Sequence, residues 1–247
     1  MNNSELIITG NNLRENRFFI LKFLIVWPTL ILTSCIILPF IEIFHSFFNL
    51  LTIIPILPFL VIVYFGSFIL SLVFFAKLYL ILFNLIHKPK EGFFKISVYN
   101  KDYYFYYLRK VLKEFVIKIF DYFPLPWSKV LPLKLFNIKL PSSAGVLDSY
   151  IDSDFIEFGE EAILGEGSIV MSSIVVGDRL LVKKTIIEDR VTIGAYSVVA
   201  PGTIAEEGSI LGMGSYTKIN QRLEKNWIYV GRPAKKLKEI IDDFNQD

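Results

Sequence analysis

Three successive patterns of apolar and polar positions divide the chain. Between Lys22 and Lys77 lie 54 residues with a single formal charge, Glu42. One helix of that length would be ~80 Å long against a hydrocarbon core of ~30 Å, so the run predicts two membrane spans joined by a short turn. The first runs from about Phe23 to Ile41, and the second lies within Ile56 to Ile86. Pro55 and Pro58 mark the entry to the second, while Pro28 and Pro39 bend or bound the first, because proline removes a helical hydrogen bond. A buried helix pair in a soluble core would also hide these residues, but nothing else in the chain supplies enough apolar surface to cover them. Lys77 falls near the inner end of the second span, where its long side chain can snorkel.

The pattern then becomes amphipathic. In "NKDYYFYYLRKVLKEFVIKIFDYF", Tyr104, Leu108, Val111, Leu112, Phe115 and Ile119 recur at helical spacing, and Arg109, Lys110, Lys113 and Lys118 supply the basic residues. This predicts a helix that lies on the inner leaflet, the favoured reading, or packs on the following domain. The proline-punctuated "FPLPWSKVLPLKLFNIKLPSSAG" is a linker with further apolar anchors.

From Phe158 onward the period is six. Phe158, Leu164, Val170, Val176 and Val182 keep it; after one register slip, Ile187, Ile193, Val199, Ala205, Leu211 and Thr217 resume it. Glycine often follows the repeated residue (Gly159, Gly165, Gly177, Gly194, Gly212), and the fifth position is often small or β-branched. Neither helical periodicity nor a sandwich of hairpins holds such a beat; a parallel β-helix with three short strands per coil does. The first residue of each hexad stacks inward, and the glycines relieve strain at positive φ in the corners. About ten hexads give three to four coils, few enough to need capping or oligomerisation. Four segments result: 1–22 as a cytoplasmic N-terminal stretch, 23–86 as the anchor, 87–145 as amphipathic helix and linker, and 146–247 as the β-helix domain.

Composition agrees with this division. The chain is 53% hydrophobic and only 20% charged, too apolar for an ordinary soluble domain. Its net charge of +2 hides an asymmetry: residues 1–140 hold 15 Lys and Arg against 7 Asp and Glu, and residues 141–247 hold 11 against 17. A basic front half suits an anionic membrane surface, and an acidic back half argues against a nucleic-acid partner. Arg14, Arg17 and Lys22 precede the first span, Lys88, Lys90 and Lys95 follow the second, and the turn with Glu42 and His45 has no Lys or Arg. The positive-inside rule therefore places both ends, and the β-helix, in the cytoplasm of a multi-pass membrane protein. Cys35 is the single cysteine, which rules out an internal disulfide and a cysteine zinc site. The apolar start lacks a small-residue cleavage site, so no removed signal peptide is expected.

"LGEGSI", "IGAYSVVAPGTI" and "LGMGSYTK" resemble the left-handed β-helix repeats of hexapeptide acyltransferases. The closing "WIYVGRPAKKLKEI" is similar to that family's ending, a Gly-x-Pro-Ala-Lys turn leading into a C-terminal helix. The match covers roughly Ile151 to Ile241, and the hydrophobic front resembles a membrane-anchored subgroup. After the two transmembrane helices and the amphipathic helix read above, the resemblance implies a left-handed parallel β-helix with a short C-terminal helix. It also implies a homotrimer, with acyl-CoA or acetyl-CoA in the groove between neighbours, and a histidine that deprotonates the acceptor hydroxyl or amine.

The sequence departs from that pattern at one point: its only histidines are His45 and His87, both outside the β-helix. The subgroup's histidine would fall near Ser173. Either Ser172 or Ser173 orients an acceptor, with Glu166 or Asp178 as base, or these serines are ordinary corner residues; an unassisted serine is a poor base. His87 either serves from the membrane edge or merely flanks the span. Lys218, Arg232, Lys235 and Lys236 cluster where the family binds coenzyme phosphates, as phosphate recognition requires, or they form a solvated final turn. A zinc carbonic anhydrase of this fold would need a histidine cluster that the sequence lacks, and no metal is expected. A nucleotidyltransferase with a trailing β-helix would need a glycine-rich phosphate loop, also missing. Two functions stay open: acyl transfer from a thioester to a small-molecule, lipid-linked or envelope acceptor, and a non-catalytic trimeric scaffold at the membrane.

Overall fold

The apolar run folds as two long helices, α1 (Phe19–Phe47) and α2 (Leu57–Ile86), in a computed structural model that describes residues 19–47, 57–122, 130–136, 138–146, 148–152 and 154–240. Arg14, Arg17, Pro55 and the linker stretch 123–129 lie outside the described residues. Ile20–Ile43 and Leu57–Ile86 are each long and apolar enough to cross a membrane. Pro28 and Pro39 both sit inside α1 rather than at its ends. Pro28 has no N–H for the carbonyl of Leu24 one turn earlier, and the Tyr79 hydroxyl of α2 donates to that oxygen at 3.3 Å. The neighbouring helix thus covers a backbone group that the proline leaves without a partner.

Beyond α2, β1 (Gly92–Lys95) leads to α3 (Lys101–Asp121) and the short α4 (Val130–Leu135). The Asn100 side chain caps α3 by accepting the Tyr103 N–H. The helix lies in a sandwich rather than on an open leaflet face. Leu112, Val116 and Phe120 bury one side against Leu21 and Ile25 of α1 and Leu72, Ala76 and Leu80 of α2. Tyr103 and Tyr106 bury another side against Leu180 and Val182 of the following domain. Of the 20 residues 101–120, only Lys101, Tyr104 and Lys118 are exposed. The helix therefore couples the hydrophobic hairpin to the β-domain.

Period six gives a parallel β-helix with three faces. One face stacks β2 (Gly145–Val146), β5 (Ile163–Leu164), β10 (Thr192–Ile193), β13 (Ile210–Leu211) and β15 (Trp227–Gly231). The second stacks β3 (Tyr150–Ile151), β6 (Ile169–Val170) and β11 (Val198–Val199); the third stacks β4 (Ile156–Phe158), β9 (Thr185–Ile187), β12 (Ile204–Ala205) and β14 (Arg222–Leu223). In-register pairing aligns Val146, Leu164, Ile193, Leu211 and Tyr229 as one inward ladder. Ile151, Val170 and Val199 form the second, and Phe158, Ile187, Ala205 and Leu223 the third. Nearly all of these side chains are buried in one core.

Three expectations need correction. Val176 is not an inward rung: β7 (Ser173–Val176) and β8 (Arg179–Val182) form an antiparallel hairpin pushed out of the second coil, and β8 pairs with β1. Val176 is exposed, and Val182 is buried beneath the hairpin instead of inside the prism. This insertion causes the register slip in the sequence. The glycines after the rungs answer to close approach rather than to positive φ. A Cβ on Gly194 would lie 2.5 Å from Met213 N, and one on Gly165 2.5 Å from Ala195 N, both backbone atoms of the next coil. Positive φ falls two residues later, at Gly167, Tyr196 and Gly214. Finally, no helix begins at the chain's closing turn: Ala234–Glu239 is strand β16, antiparallel to β15. It shields the last parallel strand, an edge that would otherwise be open to pairing.

Candidate active site

The hairpin's first residue, Ser173, and its neighbour Ser172 are buried, and their hydroxyls are already engaged. Ser173 Oγ donates to Asp152 Oδ2 at 2.5 Å and Ser172 Oγ to the same oxygen at 3.2 Å. Asp152 is 1% exposed, and its other oxygen lies 3.3 Å from Lys110 Nζ of α3. The Tyr106 hydroxyl is buried nearby. Burial, and then the Asp152 charge, raise its pKa well above the ordinary tyrosine value, against a lowering influence from Ser173. One turn further along α3, Lys113 Nζ lies 2.5 Å from Asp154 Oδ1, and Glu114 accepts the Tyr150 hydroxyl at 3.0 Å. The basic side of α3 thus meets carboxylates of the first coil, so part of the chain's charge asymmetry is satisfied internally rather than by lipid.

The His87 ring is turned into the protein, and its Nδ1 has no hydrogen-bond partner among the described residues. Its Nε2 lies 2.9 Å from Asp102 Oδ1, its ring stacks on Phe105 at 5.1 Å, and Nδ1 is buried. Its carbonyl accepts from Arg109 Nη1 at 2.9 Å. Arg109 is itself buried, which lowers its pKa, while the Asp154 charge acts in the opposite direction. This group fastens the end of α2 to α3. The structure does not bring His87 together with Ser172 or Ser173: the serines turn to Asp152, and His87 turns to Asp102. Asp178 sits at the exposed hairpin tip, 3.9 Å from Arg179, with its carbonyl bound to Ile96 N–H.

Glu166 has a different setting. It is exposed at the corner between the first and second faces, where its carbonyl accepts the Tyr196 N–H. Gly214 N–H donates to Ala195 O one coil on, and Arg232 Nε donates to Gly214 O at 2.6 Å beyond that. Glu166, Tyr196, Met213 and Arg232 therefore follow one another along a single exposed corner. Tyr196 and Met213 are 64% and 76% exposed. Three coil steps of ~4.8 Å separate the carboxylate from the guanidinium, a span of ~14 Å.

The remaining basic candidates divide. Lys236 Nζ bonds Glu224 and lies 4.4 Å from the centre of the Trp227 ring. Its pKa is raised, first by that Glu224 bond. Lys235 pairs in register with Val230, next to Arg232 in the same terminal turn. Lys218 caps a different corner, where its N–H donates to Gln221 Oε1. The residues that sequence reasoning missed are Asp152 and Tyr106; Lys110 was visible only as part of a basic stripe. The one available signal was that Lys110 and Lys113 share a side of α3 while Asp152 and Asp154 alternate along the first coil.

A family model described as the hexapeptide repeat of succinyl-transferase matches residues 184–217. The carnitine operon protein CaiE of Escherichia coli K12 is 29% identical over 98 residues, covering 40% of this chain and 43% of that protein. The chain thus spans less than half the length of the curated relatives it matches. Among solved structures, the hexapeptide-repeat acetyltransferase VCA0836 of Vibrio cholerae is 13% identical, covering 60% of this chain and 97% of its own, with a TM-score of 0.48. The N-acyltransferase AntD of Bacillus cereus, in complex with dTDP-4-amino-4,6-dideoxyglucose and coenzyme A, is 24% identical over 41% of this chain and 60% of its own, with a TM-score of 0.36. The match to the hexapeptide repeat falls within the parallel β-helix.

Proposed function

We propose that this hexapeptide-repeat protein is a membrane-anchored acyltransferase. It takes an acyl group from coenzyme A and passes it to a hydroxyl or amine of a small or lipid-linked acceptor on the cytoplasmic side. The observation that carries the reading is the exposed corner running from Glu166 to Arg232. Arg232, with Lys235 beside it, holds coenzyme phosphates at one end. Met213 and Tyr196 offer the apolar stretch along which a pantetheine arm lies. Glu166 stands at the other end as general base: it takes the acceptor's proton as the acceptor oxygen or nitrogen attacks the thioester carbonyl. Collapse of the tetrahedral adduct breaks the carbon–sulfur bond, and the proton passes to the departing thiolate. Three copies packed side by side would close this corner into a groove, and the mass of the detergent-solubilised protein tests that stoichiometry.

Release of free thiol from acetyl-CoA or longer acyl-CoA, in the presence of amine and hydroxyl acceptors, tests the chemistry. Glu166→Gln is expected to lower turnover about 10²-fold or more, with coenzyme binding retained. His87→Ala is expected to leave the rate per folded molecule unchanged. Equal turnover in Glu166→Gln and the parent protein would remove Glu166 from the mechanism. A second reading, a scaffold without catalysis, is favoured by the internal engagement of Ser172, Ser173 and His87. It predicts no thiol release with any donor.

A further inference from the structure

A cavity of about 440 Å³ opens between the lower part of α2 and the first coil, away from the Glu166–Arg232 corner. Leu80 and Ile81 of α2 line it, and its floor is Asp154 to Glu157 of the β-helix. Its position along α2 sets its depth. The run Leu57–Ala76 is 20 residues without a charge, ~30 Å of helix, which matches the hydrocarbon core. Lys77 is the first charge after it, so the part of α2 that lines the cavity lies at the level of the lipid headgroups.

The lining is polar in a particular way. Four lysines face it against three carboxylates. Lys113 is paired with Asp154, and Lys139 and Lys184 both reach Glu157 at 2.8 Å. Glu91 accepts the Lys184 N–H at 3.0 Å. Lys77 has no ion pair or hydrogen bond among the described residues, which leaves one cation for an outside anion. Two buried acceptors in the lining, one on α2 and one on the floor, have no donor: the side-chain oxygen of Asn84 and Oδ2 of Asp154. A buried acceptor without a donor is destabilising, so the site calls for a group that supplies N–H or O–H.

We infer that the cavity binds the headgroup of an inner-leaflet phospholipid that carries hydroxyl or amine donors beyond its phosphate, with the phosphate at Lys77 and the donors at Asn84 and Asp154. The acyl chains then follow the apolar surface of α2 upward into the bilayer. This rests on reading α1 and α2 as membrane spans and does not require the coenzyme site. A bound lipid would tie the hairpin to the β-domain at the membrane surface.

Native mass spectrometry of the full chain in detergent, with phosphatidylglycerol, phosphatidylcholine or inorganic phosphate added, tests the inference. The expected result is one phosphatidylglycerol retained per chain, at least tenfold weaker retention in Lys77→Gln, and a smaller but clear loss in Asn84→Leu. Phosphatidylcholine, which has no donors, should compete poorly, and inorganic phosphate should not displace the lipid. Equal retention by Lys77→Gln and the parent would overturn the inference, as would equal binding of phosphatidylcholine. Displacement by inorganic phosphate would make this a free-anion site. Coenzyme A binding measured on the same samples should be unchanged by Lys77→Gln. Failure of one site is thus distinguishable from failure of the other.

Discussion

Removing the Ser173 hydroxyl should weaken the protein without touching its chemistry. Ser173 is buried and donates to Asp152, which also accepts from Ser172 and lies beside Lys110. A hydrogen bond to a charged, buried acceptor contributes ~1.5–3 kcal/mol, and Ser173→Ala should cost about that much. Asp152→Ala goes further, because it takes the acceptor from two buried hydroxyls, ~1–3 kcal/mol for each, although Lys110 keeps Glu114 at 3.9 Å. The double variant should be less damaging than the sum of the two single variants, by ~1.5–3 kcal/mol of coupling. The assay is denaturant unfolding in detergent followed by tryptophan fluorescence, with thiol release measured on the folded fraction. Ser173→Ala should shift the midpoint and leave the rate per folded molecule within about twofold, on the order of 0.4 kcal/mol of barrier. An unmoved midpoint with a collapsed rate would refute the structural role and restore Ser173 as a catalytic residue.

Other expectations concern the prism and its surface. Gly194→Ala should cost ~1–3 kcal/mol, since its Cβ would meet backbone of the next coil, whereas Gly177→Ala at the open hairpin turn meets no neighbour and is strained only through its φ of 62°. Thermal midpoints of the two variants check the contrast. The Glu157 pKa is depressed, chiefly by hydrogen bonds from Lys139 and Lys184. Its stabilising contribution is therefore present above the ordinary glutamate pKa and lost as pH falls through the lower folded-state value. Exposure keeps that contribution small, so Glu157→Gln should flatten only a minor part of the acid limb in a titration of the melting point.

The inward ladders were legible because a three-faced coil imposes its period directly on the chain. Leu164, Ile193 and Leu211 had to fall where they did. The hairpin from Ser173 to Val182 was not, since Val176 and Val182 happen to keep the six-residue spacing while standing outside the prism. At the C-terminus, Lys235, Lys236 and Leu237 are good helix formers, but pairing with β15 prevails over that weak local preference. The basic stripe of α3 was visible, but its partner was not. Lipid phosphate and the carboxylates Asp152 and Asp154 present the same kind of charge, and only the fold brings the latter within reach. Likewise, Glu166 and Arg232 are 66 residues apart in sequence; the stacking of coils places them on one corner.

Equilibrium binding of acetyl-CoA to the detergent-purified chain, alongside Arg232→Ala, tests the account most directly. Acyl transfer along the Glu166–Arg232 corner predicts saturable binding below millimolar coenzyme, weakened about tenfold or more when the Arg232 charge contact is removed. No binding at millimolar coenzyme, or binding indifferent to Arg232, would contradict it.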